Sequence, residues 1–401
     1  MKRIGILTSG GDCQGLNAAI RGVAKALYVE FGSDVEIYGI ADGYRGLIEG
    51  DYKLMKAEDF SGILTLGGTI LGTSRQPFKL MRVADDKNGD KVEAMKSNYK
   101  KMKLDCLVIL GGNGTHKTAH LLSQEGLNVV TLPKTIDNDI AITDHTPGFG
   151  SAARYIAATT AEVGVDVKSL PIHVCIIEAM GRNAGWITAA SALARKKPGD
   201  APHLIYLPER PFNEAEFLED VKRLHEEKGG VVVVVSEGLK NEAGEPIVPP
   251  IFKTERATYY GDVSAYLAEL VIKKLGIKAR SEKPGICGRA SIAWQSPVDR
   301  DEAVLAGSEA LKAAVAGQSG VMVGFIRDEE AEKIDGVYRM HTEMIPIKEV
   351  MMYERTIPES YLNERGNDVT EAFTKWCKPL IGPELRDFID FHEEREKIEK
   401  K

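Results

Sequence analysis

At 401 residues, with 59 acidic against 52 basic side chains and a net charge of −7, the chain exceeds the size at which one hydrophobic core keeps growing and gives no electrostatic case for a nucleic-acid partner. The N-terminal MKRIGILTSGGD carries too short an apolar run for a signal peptide, and nothing approaches the ~18 apolar residues of a membrane span; a cytoplasmic protein with no membrane partner is expected. Five cysteines, odd in number, scattered and without zinc-ligand spacing, predict reduced thiols.

Short β-branched runs between amphipathic stretches predict strands at Ile4–Leu7, Val35–Ile40, Ile63–Leu66, Cys106–Leu110, Val129–Leu132, His173–Ile177, Leu204–Leu207 and Val231–Val235. Such alternation implies βαβ units, hence an α/β fold of two Rossmann-like lobes with largely parallel sheets and a cleft between them. Ligands of these sheets bind where strands end and loops gather. Glycines cluster there: Gly10-Gly11 after the first run, Gly67-Gly68 after the third, and Gly111-Gly112 with Gly114 after the fourth. A lobe boundary is expected near Pro147 to Gly150, with a new βα series from about Pro171. Between Lys240 and Thr258, Pro246, Pro249 and Pro250 argue against a regular element. The charged tail Phe388–Lys401 reads as a solvated helical end.

Three motifs carry chemistry. Ser9-Gly10-Gly11-Asp12-Cys13-Gln14-Gly15 lies between a strand and a helix starting near Leu16, where main-chain N–H groups and the helix N-terminus favour an anion. A plain tight turn is the alternative. Gly111-Gly112-Asn113-Gly114-Thr115 repeats the arrangement, and side chains at Gly112 or Gly114 would fill the space that phosphate oxygens need. Similar sequences occur in lipid and NAD kinases, so this motif signals a phosphoryl donor more than any acceptor. Pro133-Lys134-Thr135-Ile136-Asp137-Asn138-Asp139 is the most specific, since two carboxylates two residues apart beside a lysine and a threonine can supply a base, a metal partner and phosphate donors.

In order and spacing, SGGDCQGLNAAIRG, DGYRGL, LGTSR, GGNGT, PKTIDND, EAMGRNAGW and SEG resemble the phosphofructokinase family, from residue 1 to about 240 and more loosely to about 325. The last seventy or so residues carry no recognised motif. The resemblance implies phosphoryl transfer from ATP with Mg²⁺ to the 1-hydroxyl of fructose 6-phosphate. Residues 1–149 would form the donor lobe and 150–288 the sugar-phosphate lobe, with 289–401 returning to the donor lobe and ending in a helical extension. Asp137 would be the general base, Thr135 would help hold the hydroxyl and the transferring group, and Arg182 would meet developing charge. Gly11, Tyr44, Arg75, Gly112, Asn113, Gly114, Thr115 and Lys134 would line the donor site. Met180, Gly181, Arg182, Glu237, Arg280 and Arg289 would hold the sugar phosphate together with Thr135 and Asp137, and Asn113 and Asp139 would serve the metal. A homodimer or homotetramer is implied, because the family completes its sugar site with a neighbouring subunit's residues.

Three departures bear on specificity. Asn113 stands where many members have an aspartate, which shifts metal binding toward Asp139. Ile286 falls where a histidine or tyrosine commonly contacts the 6-phosphate, and His173 where an arginine is common. Gly114 with Lys134 is a mixed signature that usually accompanies ATP, leaving pyrophosphate as the alternative donor. Another sugar phosphate as acceptor, and a weakly catalytic regulatory paralogue, are the remaining alternatives; retention of Asp137, Asp139, Arg75 and Arg182 together argues against the latter.

Overall fold

The strand-forming runs sort into two sheets in the computed structural model, which describes residues 1–84, 89–170, 173–254 and 258–387. The first sheet is built from β1 (Lys2–Thr8), β2 (Val35–Ile40), β3 (Tyr52–Met55), β4 (Cys106–Gly111) and β5 (Val129–Pro133). The second comprises β6 (Val174–Ala179), β7 (Leu204–Tyr206), β8 (Val231–Ser236) and, after a separate ribbon of β9 (Pro250–Lys253) and β10 (Thr258–Tyr260), β11 (Ala279–Glu282). The chain then returns to the first sheet with β12 (Val321–Arg327) and β13 (Met340–Pro346), giving the orders β13-β12-β5-β4-β1-β2-β3 and β11-β6-β8-β7.

Five adjacent strands of the first sheet and all four of the second run parallel, with antiparallel β3 and β13 at the two edges of the first. Every residue of β4, β5, β6 and β8 is buried, as strands covered by helices on both faces require. One apolar cluster extends from Ile4 and Val108 to Ile177 and Val232, so the lobes share a core.

Two expectations fail. The run Ile63–Leu66 is a 3-10 turn over Ile63–Thr65, with no neighbouring strand to pair with. Its apolar residues instead pack on the helix Leu16–Phe31, where Asn17 takes the Leu66 carbonyl at 3.1 Å and the Ile70 N–H at 3.0 Å. The stretch Lys240–Thr258 does contain a regular element: Pro250 opens β9, where an exposed edge makes no demand on its missing N–H. The predicted tail helix, residues 388–401, lies outside the described residues.

The helices Leu16–Phe31 and Pro297–Val315, remote in sequence, pack glycine against backbone. A Cβ at Gly22 would stand 2.1 Å from the Val304 carbonyl oxygen and one at Gly307 2.2 Å from that of Ala19. This contact fixes the helix that follows the first glycine loop against the helix whose buried Asp299 accepts from Gly148 N at 2.7 Å.

Beneath the loop 135–148, His145 is buried between Asp144, 2.9 Å from Nδ1, and Glu302, 2.8 Å from Nε2. Burial alone would lower its pKa, but the two carboxylates outweigh it and push the imidazole up to about 9. A folded-state value above the ordinary 6.5 stabilises fully below about 6.5 and is lost as pH rises through about 9. The melting temperature is therefore expected to fall across that interval, and His145→Gln to flatten the fall; an unchanged slope in the variant would remove this pair of contacts as its cause.

Candidate active site

The ends of β1, β4 and β5 are tied together by main-chain bonds, Ser9 N to Leu110 O at 2.9 Å and Lys134 N to Gly111 O at 3.0 Å. Past Thr8 the backbone takes a φ of +95° at Gly10, a conformation open to glycine, and turns toward the helix at Leu16. Lys134 is 4% exposed and its ammonium donates to the Gly11 carbonyl. Burial lowers its pKa, against the opposing pull of Cys13, Asp12 and Asp137.

After Pro133 exposure alternates although the chain bends and Asn138 takes a φ of +53°: Thr135, Asp137 and Asp139 are partly exposed, while Lys134, Ile136 and Asn138 are buried. The segment is pinned by Thr146, whose hydroxyl donates to Thr135 O at 2.7 Å, and by Asp137 N, which donates to the Thr135 hydroxyl at 3.1 Å. Burial pushes the Asp137 carboxyl up to about 7, with Asp139 and Glu237 adding repulsion and Lys134 and Arg289 opposing it. Asp139 is raised by burial too, and is partly relieved by bonds from Thr135 and Asn113.

The second lobe supplies the facing wall. Gly181 N donates to Glu237 Oε1 at 3.3 Å, and Arg182 Nη2 lies 3.9 Å from Glu237 Oε2. The Ser236 hydroxyl donates to Gly181 O at 2.7 Å, which locks the loops after β6 and β8 together. A Cβ on Gly11 would meet Arg289 Nη1 at 3.5 Å and Arg75 Nη2 at 3.9 Å, so both guanidinium groups reach the first glycine loop. Met180 lines a small cavity with Ile136, Tyr155 and Ile187.

The structure thus brings together Gly11, Lys134, Asp137, Arg75 and Arg289, with Thr135, Asp139 and Asn113 on one side and Gly181, Arg182 and Glu237 on the other. Gly112 and Thr115 form the entry to the helix Asn113–Gln124, with Thr115 N donating to Gly112 O at 2.9 Å, and Gly114 is exposed there. Tyr44 does not line the crevice: it is 1% exposed in the apolar core, and its hydroxyl supports the second glycine loop from below by donating to Thr115 O at 2.8 Å. Arg280 stands apart, exposed on the outer strand β11, with its charge acting on His173 and Cys175. His173 itself is buried, and desolvation, followed by the charge of Arg280, lowers its pKa. Ile286 is 65% exposed.

Sequence reasoning left three contributors without a role. Asp12 is half-buried, raised in pKa by burial and in the field of Arg289 and Lys134; its place in the first motif was the available signal. Glu354 and Arg355 lie against Asp139 from more than two hundred residues away, with no motif to announce them.

Among the described residues no group of three or more His, Cys, Asp or Glu side chains is arranged to hold a metal. The Asn113 amide donates to Asp139 at 3.1 Å, which leaves its Oδ1 buried without a partner, as is Asp12 Oδ1. Orphaned oxygens beside carboxyls raised in pKa fit a hard divalent cation with few protein ligands, as Mg²⁺ held largely by water and phosphate oxygens would be.

Two largely parallel α/β lobes with glycine loops and carboxylates at facing strand ends define the class of two-lobed cleft proteins suited to phosphate ligands, and sequence comparison narrows it. The Phosphofructokinase profile matches residues 3–314. An ATP-dependent 6-phosphofructokinase of Spirochaeta thermophila is 42% identical over 365 residues, covering 90% of this chain and 94% of the relative. A pyrophosphate–fructose 6-phosphate 1-phosphotransferase of Rhodospirillum rubrum is 32% identical over 378 residues, covering 90% and 89%. The crystal structure of a pyrophosphate-dependent phosphofructokinase from Marinobacter aquaeolei superposes with a TM-score of 0.83 at 28% identity, covering 98% of this chain and 94% of that one. The chain belongs to the phosphofructokinase family and is an enzyme of that family. No helix among the described residues is long and apolar enough to cross a membrane.

Proposed function

We propose that the protein transfers the γ-phosphoryl group of ATP to the 1-hydroxyl of fructose 6-phosphate, giving fructose 1,6-bisphosphate and ADP. The observation that carries this reading is the alternating exposure of Thr135, Asp137 and Asp139 in a crevice walled by the Gly10-Gly11 loop on one side and the Arg182–Glu237 pair on the other. Asp137 takes the hydroxyl proton as O1 attacks phosphorus and the bond to the bridging oxygen breaks, with Thr135 holding the hydroxyl. Arg75, Arg182 and Arg289 meet the phosphate charge, and Glu237 accepts from sugar hydroxyls. Mg²⁺, bound through Asp139 and Asn113, would shield charge on the transferring group. Residues 1–149 and the returning strands β12 and β13 serve the donor, and residues 150–288 the sugar phosphate.

Support for ATP comes from Gly114, which has no side chain to crowd or repel a nucleotide phosphate and whose Cβ position meets nothing within 4 Å. Pyrophosphate is the second reading, favoured by the Lys134 ammonium held on Gly11 O at the base of the donor loop. Steady-state turnover of fructose 6-phosphate with each donor decides between them. ATP is expected to give the higher kcat/KM; the reverse order would make pyrophosphate the donor, and turnover with neither would put the acceptor in doubt. The exposed Arg280 is assigned to a neighbouring subunit's sugar site in a homodimer or homotetramer, and light scattering that shows an active monomer would refute that assignment.

A further inference from the structure

Residues 353–357 run between the lobes and bond to both. On the donor side Ile140 and Glu354 form an antiparallel bridge, and Arg355 N donates to Asp139 O at 2.8 Å. On the sugar side Trp186 Nε1 donates to Arg355 O at 3.2 Å and Asn183 Nδ2 to Glu354 Oε2 at 3.3 Å. Ile357 N donates at 3.0 Å to Glu209 Oε1, the oxygen that also accepts from Gly185 N at 2.9 Å. Asn183, Gly185 and Trp186 belong to the loop that carries Arg182.

The Arg355 side chain closes this bridge. Its guanidinium lies 4.3 Å from the centre of the Trp186 ring and 5.5 Å from that of Trp376, and it donates to the main-chain oxygen of Asp144. Trp376 Nε1 in turn donates to Asp144 Oδ1 at 3.0 Å. Aromatic faces and a carbonyl hold a cation in one orientation, with directional bonds at both ends of the Asp139–Asp144 turn. Asp137 stands two residues before that turn and Arg182 four residues before Trp186.

We propose that Arg355 is a positioning residue for phosphoryl transfer, clamping the turn that follows Asp137 to the loop that carries Arg182 so that base and phosphate-binding cation stay in one geometry. This rests on the reading of Asp137 as the base. Displacing a reacting group by about 1 Å can cost on the order of 10²-fold in rate. The Arg355 side chain touches Asp144, Trp186 and Trp376 and no residue assigned to the donor, and its main-chain bond to Asp139 survives substitution, so loss of the side chain falls on kcat rather than on donor affinity.

The test is Arg355→Met and Arg355→Lys in the full chain, with Asp137→Asn alongside. Rates are expressed per site able to bind fructose 6-phosphate, counted by calorimetric titration. Arg355→Met is expected to lower kcat per competent site by about 10- to 100-fold with donor KM within about twofold, and Arg355→Lys, which keeps the charge and reach, to recover part of the loss. A merely structural role would reduce the number of competent sites and leave kcat per site unchanged, which overturns the proposal. If Arg355→Met does not fold, Arg355→Lys decides alone: a lower kcat per site at unchanged donor KM supports the clamp, and a wild-type kcat refutes it. Near wild-type turnover by Asp137→Asn would remove the base reading and this inference with it, whereas an inactive Asp137→Asn beside an unaffected Arg355→Met would sink the inference alone.

Discussion

Asp137→Asn is expected to lower kcat by about 10²–10⁴-fold while fructose 6-phosphate binds nearly as before. The amide keeps the shape of the side chain, and the main-chain bond from residue 137 to the Thr135 hydroxyl does not depend on the carboxylate. What is lost is the group that takes the proton. Burial and the neighbouring Asp139 and Glu237 raise the Asp137 carboxyl to about 7, so the base is formed only on the alkaline side of that value in the free protein. A cation at Asp139 would draw it lower. The kcat/KM profile of the wild type should therefore fall toward acid, with its limb at or below about 7, and the variant should lack that limb. A variant with near wild-type kcat would remove Asp137 from the mechanism.

Gly114→Asp should depress ATP use far more than pyrophosphate use. The residue opens the helix Asn113–Gln124 and its Cβ would meet no atom within 4 Å, so the substitution does not disturb packing, and a carboxylate near a helix N-terminus is tolerated electrostatically. With ATP bound, however, like charges would stand a few ångströms apart at this exposed position. At ~4 Å that repulsion is about 1 kcal/mol in bulk water and about 4 kcal/mol at an effective dielectric of ~20. Pyrophosphate brings neither a third phosphate nor adenosine to that space. The ratio of kcat/KM for ATP to that for pyrophosphate is the quantity to measure; an unchanged ratio in the variant would mean that the donor does not pass residue 114.

Seven of the strands were legible because buried parallel strands are continuous apolar runs; β4, β5, β6 and β8 are buried throughout. The edge strands β3, β11 and β13 were not, and neither was β12, an interior strand whose apolar run Val321–Ile326 was passed over. Tyr52–Met55 and Ala279–Glu282 are mostly exposed and carry Lys53, Arg280 and Glu282, so they have no apolar run to display. Ile63–Leu66 shows the converse error, an apolar run that lies on a helix without joining a sheet. In the site, Thr135, Asp137 and Asp139 were readable as two carboxylates two residues apart beside a threonine and Lys134. The burial of Tyr44 was not, since nothing in the sequence around Asp42-Gly43 separates a tyrosine that lines the donor site from one packed in the core beneath it. Arg355 acts through its main chain and through ring faces, neither of which leaves a pattern in the sequence.

The return of the chain to its first sheet has a consequence for how the protein is made. The second lobe's sheet is contiguous, from Val174 to Glu282, and can close as soon as that stretch has been synthesised. The first cannot. Its strand β5 waits for Val321 and Met322 to pair with Val130 and Thr131, and the groove around Gly22 waits for Val304. Until then the nascent chain carries an open sheet edge and an uncovered helix face, both liable to pair with the wrong chain. The lobe begun first is thus completed last, and a chain that ends between Glu282 and residue 297 has every strand of its second sheet while its first glycine loop and the carboxylate segment after β5 have no finished scaffold to hold them.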